Sequence, residues 1–201
     1  MKPAEMVKLI AHFDMYFKQV DPTVLHMNAQ TPRHIDVLLY PPNEAYPFWK
    51  LATMGASDYK MPKSTNAVSD RNEYIMFVDP SEDLTDKSIQ NFYYCSLLAV
   101  AFYPVNTATP ITYGHSMEWP SDDGSDMAGA YIEMPQIIED TGILRCKLGL
   151  FKTAACLQVV LLTREEIDKL LKIGPEQFSY FLYPDEGEPH FLSERIRSEK
   201  F

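Results

Sequence analysis

His34-Ile-Asp-Val-Leu-Leu-Tyr40, closed by Pro41-Pro42 and followed by Tyr46-Pro-Phe-Trp-Lys-Leu-Ala-Thr-Met-Gly-Ala-Ser-Asp58, decides the fold. Ile35, Val37 and Leu39 alternate with His34, Asp36, Leu38 and Tyr40, so an extended chain carries one wholly apolar row and one mixed row. That is a strand. Pro41-Pro42-Asn43-Glu44 makes a turn, and Phe48 to Met54 reads as the strand that returns beside it.

Working outward, Met6, Ile10, Phe13 and Phe17 recur at steps of three and four, with Leu9 and Tyr16 widening the stripe, which predicts a helix over 4–18. Asp21-Pro22 ends it, since proline disfavours helical geometry in the residue before it. The polar stretch 60–71 holds Pro62 and reads as a loop. Tyr74 to Val78 is apolar on both faces, as in a strand covered on both sides. From about Thr85 to Tyr103 a helix is expected that is apolar nearly all round and therefore buried, with Pro104 and Pro110 bracketing the loop after it. Ile111 to Glu118 and Met127 to Met134 form a hairpin whose tip carries Asp123-Gly124.

Leu144, Cys146, Leu148 and Leu150 alternate with Arg145, Lys147 and Gly149, the pattern of a strand with one wet face. Cys156 to Leu162 suits a central strand. Thr163 and Glu166 then form a capping box, Ile167, Leu170 and Leu171 supply a helix face, and Gly174-Pro175 ends it before a second short helix from Glu176 to about Tyr183. Strands alternating with helices, together with a hairpin, predict an α/β (α+β) fold: a mixed β-sheet with helices packed over it. We expect one domain over 1–183 and a polar C-terminal tail over 184–201, partly disordered, in which Phe191, Leu192 and Ile196 dock a final short helix.

At 201 residues the chain buries a sizeable core without a metal or disulfide staple. Its net charge of −10 argues against nucleic acid as partner and favours a basic one. The uncharged run from Ser88 to Met117 is broken by Pro104 and Pro110, so no membrane span is expected. The N-terminus lacks the pattern of a secretory signal, which points to the cytoplasm. Cys95, Cys146 and Cys156 have no C-x-x-C spacing and are expected to be reduced and buried.

Few constellations carry chemistry. His34 and Asp36 share a strand face, the geometry of a carboxylate-oriented histidine or of two metal ligands that need a third group such as His115, Glu118, Asp58 or Glu73. Their simpler role is to hydrogen-bond each other and nearby backbone. Ser57 lies in a Gly55-x-Ser57-x-Tyr59 turn, where a nucleophile elbow would need a second glycine. The acidic stretch Asp122 to Asp126 lacks the spacing of a calcium loop, the cysteines lack that of a zinc knuckle, and no phosphate cradle is present. No cofactor is implied.

The strand opening His34-Ile-Asp-Val, the Thr53-x-Gly55-x-Ser57-Asp58 turn, Met61-Pro62, the strand from Glu73 to Val78, Gly114-His115, and the strand from Leu157 leading into Thr163-x-x-Glu166 follow one another in the order seen in the Suppressor-of-fused (SuFu) domain family, which the chain resembles over roughly residues 30 to 180. The resemblance implies an α/β or α+β protein-binding module of the single-domain bacterial type, without established catalysis. It also implies that such members neutralise toxins as immunity proteins, so the expected partner is another protein, such as a basic toxin domain. Met54, Ser57, Asp58, Tyr59, Glu73 and His115 are the expected partner-binding residues, lining one concave surface. The alternative is a small hydrolase or metal-dependent enzyme built on His34, Asp36 and His115.

Overall fold

In the computed structural model, which describes residues 1–26, 34–64, 67–120, 124–186 and 189–197, the strand Asp36–Tyr40 is buried along its whole length. Its two rows enter separate cores: Val37 and Leu39, with Ile35, pack on one side of the sheet, and Leu38 and Tyr40 on the other. The same division runs through the neighbouring strands, so the sheet is the middle of three layers.

In chain order the strands are β1 (Thr23–Leu25), β2 (Asp36–Tyr40), β3 (Trp49–Met54), β4 (Asn72–Val78), β5 (Ser116–Glu118), β6 (Met127–Glu133), β7 (Arg145–Lys147) and β8 (Thr153–Thr163). The helices are α1 (Pro3–Phe17), α2 (Lys87–Thr107), α3 (Arg164–Ile173) and α4 (Pro175–Leu182). The sheet order is β1-β2-β3-β4-β8-β6-β5, with β7 paired to β8 as well. Only β4 and β8 run parallel among the described pairs, Glu73 opposite Cys156. Leu9, Phe13 and Phe17 of α1, Ile167 and Leu170 of α3, and Phe178 and Leu182 of α4 cover one face. Tyr93, Leu97, Val100 and Ala101 of α2 cover the other. The expected mixed sheet under packed helices is the observed architecture.

Several expectations need correction. α2 runs through Pro104 to Thr107, because Pro104 lies on the buried face with Leu97 and Ala101, where packing against the sheet offsets the missing backbone hydrogen bond. The helix is buried on that face alone: Asn91, Cys95 and Ala99, four residues apart, share an exposed stripe. Cys95 is therefore exposed, while Cys146 and Cys156 are buried and all three are free. β7 stops at Lys147, so Leu150 leaves the apolar row assigned to it and stands in the turn before β8. The hairpin of β5 and β6 forms with Met117 opposite Ala130, and residues 121–123 of its acidic tip lie outside the described residues. The capping box at Thr163 is present.

Residues 191–197 take the place of the expected final helix by wedging between the diverging ends of β4 and β8. Ser193 N–H donates to the Phe77 carbonyl at 2.8 Å, its carbonyl accepts from Asp79 N–H at 3.1 Å, and its hydroxyl oxygen accepts from Leu161 N–H at 3.1 Å. Gln158 donates to the Phe191 carbonyl at 3.1 Å. Backbone groups left over where the parallel pair splays are thus satisfied by this segment. Arg197 completes it, its guanidinium 3.2 Å from the Glu166 carboxylate with both side chains almost wholly buried.

Removing one partner of a buried ion pair strands the other charge. Arg197→Ala should therefore lower the unfolding free energy by about 3–5 kcal/mol in urea titration; an unchanged midpoint would show that the Arg197–Glu166 pair contributes nothing. Thiol titration of the native protein should register Cys95 alone, with Cys146 and Cys156 appearing only on denaturation.

Candidate functional site

The turn after β3 is built by charge from the next strand. Met54 is followed by Gly55 at φ +124°, where a Cβ would lie 2.6 Å from the His34 carbonyl oxygen, so no other residue fits without moving the chain. Ala56–Asp58 then make one turn of 3-10 helix, with Asp58 N–H bonded to the Gly55 carbonyl at 3.1 Å. The fully buried Glu73 carboxylate accepts from the backbone N–H groups of Gly55 (3.1 Å), Ala56 (3.2 Å) and Ser57 (3.1 Å), and from the Thr53 hydroxyl (2.6 Å). Arg71, two residues earlier, donates to the carbonyls of Ser57 (2.7 Å) and Asp58 (3.1 Å). An anion holds the donors of the turn and a cation its acceptors. Burial pushes the Glu73 pKa above its ordinary value, against the opposing hydrogen bonds of which that from Thr53 is the strongest.

This geometry sorts the six residues expected to bind a partner. Met54, Ser57 and Glu73 are buried, so their side chains shape the turn from beneath. Asp58 is exposed and Tyr59 half-buried, and both line a hollow of about 450 Å³ together with His34, Ala56, Lys60 and Val105. His115 lines no part of that hollow: its Nδ1 lies 3.1 Å from the Thr112 hydroxyl in the loop before β5. The residues foreseen as one concave surface are therefore a buried clamp, a small exposed patch and a separate loop histidine.

Asp58 sits in an ion network. Lys152 Nζ is 2.6 Å from its carboxylate and 3.0 Å from that of Glu5, and the Met1 amino group also touches Asp58. Burial acts to raise the Asp58 pKa, but the hydrogen bonds of Lys152 and the amino terminus outweigh it, and the pKa falls below its ordinary value. Lys152 closes the turn between β7 and β8, whose two preceding residues, Leu150 and Phe151, are 81% and 96% exposed. Lys8 of α1 donates to the Leu148 carbonyl at 3.2 Å, steadying the turn from below. Sequence reasoning missed Lys152, Leu150 and Phe151; Gly149, which has no place in a strand interior, was the available signal.

His34 and Asp36 do meet, with Nε2 to Oδ1 at 2.8 Å. The third group is His26, at the end of β1, whose Nδ1 lies 3.3 Å from the same oxygen. His115, Glu118, Asp58 and Glu73 join no such cluster among the described residues, so the three groups proposed for an enzymatic centre do not converge. No helix among the described residues is long and apolar enough to cross a membrane.

The family described as Suppressor of fused protein (SUFU) matches residues 31–193. A search of the curated proteins found no match. Among solved structures, the fold is similar to that in a Sufu–Fu complex, at 16% identity and a TM-score of 0.67 over 100% of this chain and 93% of that one. It is similar to Drosophila Suppressor of Fused at 16% identity and a TM-score of 0.66, covering 97% of this chain and 52% of that one. A SUFU homolog from Neisseria gonorrhoeae matches at 12% identity and a TM-score of 0.65, covering 94% of this chain and 93% of that one.

Glu73→Ala leaves three buried backbone donors without an acceptor and should cost about 3 kcal/mol or more. The Glu73 pKa in the folded protein lies above the ordinary 4.5, so its contribution to stability is complete below that value and is lost as pH rises through the folded value. Glu73→Gln cannot ionise. The stability advantage of the wild type over Glu73→Gln, from urea titrations at a series of pH values, should therefore narrow as pH rises; a constant difference would contradict the assignment.

Proposed function

This chain belongs to the Suppressor of fused protein family, and we propose that it is a non-enzymatic module that binds another protein through the surface formed by Asp58, Tyr59, Leu150 and Phe151. The observation that carries this reading is the turn between β7 and β8. Two large apolar side chains stand almost fully in solvent at its tip, beside a lysine that is itself tied to Asp58. Exposed apolar groups rimmed by charge are the usual make-up of a protein contact, with the aromatic residue supplying most of the energy. The structure of a relative in complex with Fu supports a protein as the partner.

The partner we infer is basic, such as a toxin domain that this module neutralises as an immunity protein. A net charge of −10 favours encounter with a cationic surface and opposes nucleic acid. The cytoplasm is the setting we infer, since three free cysteines, one of them exposed, suit a reducing compartment.

Affinity purification from the native cell tests the reading: the wild type should retain a basic protein that Phe151→Ser, folded by circular dichroism, does not. With that partner in hand, raising salt should slow association, because rim charges are screened within about 8 Å at physiological ionic strength. Phe151→Ala and Tyr59→Ala should instead speed dissociation, by at least about thirtyfold if each is a contact worth about 2 kcal/mol. Association insensitive to salt would remove the basic partner, and unchanged dissociation in both variants would remove the surface.

A further inference from the structure

We propose that His26, His34 and Asp36 form a binding site for a late first-row divalent metal ion such as Zn²⁺. The site uses residues other than the four of the protein-binding surface proposed above, adjoins the hollow that Asp58 and Tyr59 line, and rests on how the edge of the sheet is built. β1 pairs with β2 in a register that sets Thr23 opposite Leu39 and Leu25 opposite Val37, and one further step brings His26 opposite Asp36. His34, two residues before Asp36, projects from the same face. One carboxylate thus meets an imidazole along its own strand and another from across the ladder.

The donor atoms, His26 Nδ1, His34 Nε2 and an Asp36 carboxylate oxygen, all lie within 4.8 Å of one another. A tetrahedral ion at 2.0–2.1 Å from each ligand would separate the donors by roughly 3.3 Å. The His26 to Asp36 distance is already 3.3 Å, and the His34 to Asp36 distance of 2.8 Å needs to open by about half an ångström. Such a shift is within reach, because both imidazoles are more than half exposed and can rotate, whereas Asp36 is held with its side chain only 6% exposed. The rigid, buried anion is the anchor and the two mobile rings are the closing arms.

Two imidazoles and one carboxylate select zinc, copper, nickel or iron over calcium and magnesium, which take oxygen donors. With three protein ligands on an accessible edge, a fourth position is left for water. His34 also lines the hollow beside the Gly55 turn, so an ion bound here sits at its rim.

Titration of the untagged, metal-free full chain with Zn²⁺ by calorimetry tests the site, with Co²⁺ absorption as a second readout of coordination by nitrogen and oxygen. One equivalent should bind, and His26→Ala and His34→Ala should each weaken binding by at least about tenfold, losing a ligand where even a supporting contact is worth that much. Both substitutions are at exposed side chains, and circular dichroism should show the fold retained. His115→Ala should bind as the wild type does. Absence of Zn²⁺ binding, or binding unchanged in the double variant His26→Ala/His34→Ala, would overturn the proposal.

Discussion

Glu73 is a carboxylate with no exposure to solvent, and its answer to that burial organises the middle of the molecule. A buried anion is tolerated only where donors surround it. Here they come from Thr53 at the end of β3 and from three successive backbone groups of the turn that follows. Thr53 is used twice, since its hydroxyl oxygen also accepts from Tyr74 N–H at 2.8 Å, so side chains and backbone of β3 and β4 are tied in both directions. Arg71, the residue before β4, takes the carbonyls at the far end of the turn, and a single short segment at the start of β4 therefore dictates the path of residues 53–58.

That path sets what the surface can offer. Gly55 lies against the His34 carbonyl, so the position of the turn and the start of β2 are fixed together. Asp58 emerges at the end of the 3-10 helix with its backbone already held, and only its carboxylate is left to meet Lys152. The fold thus keeps its buried charge network beneath the turn and its exposed chemistry above it. Conserving the shape of the turn and varying the groups on top of it are separate tasks for the sequence.

Much of this is legible in the sequence, because local periodicity reports it. The alternation around Val37, the stripe of Phe13 and Phe17, and the pairing of Thr163 with Glu166 each follow from a few neighbouring residues. Contacts between distant segments are where the reading fails. Pro104 ends a helix by local rules, yet its burial against the sheet keeps α2 intact. Cys95 has apolar neighbours in sequence and an exposed stripe in space. Glu73, a lone acid in an apolar strand, announces a buried anion, but nothing local says whether it faces a partner or the backbone of a turn. His26 meets Asp36 only through the register of an edge strand, which the sequence between them does not specify. Lys152 meets Asp58 across 94 residues of chain.

The wedge of residues 191–197 also bears on the order of assembly. Pairing of β4 with β8 joins residues more than eighty positions apart, as in Glu73 with Cys156, and contacts of that separation form slowly because the loop between them must close first. The splayed end of that pair is then completed by chain that emerges from the ribosome later still. During synthesis β1, β2, β3 and β4 can associate as an antiparallel unit while the far edge of β4 has no neighbour. An unpaired edge of this kind invites pairing with other nascent chains. The half-sheet therefore keeps an open edge until β8 has paired with β4 and residues 191–197 have closed the gap between their ends.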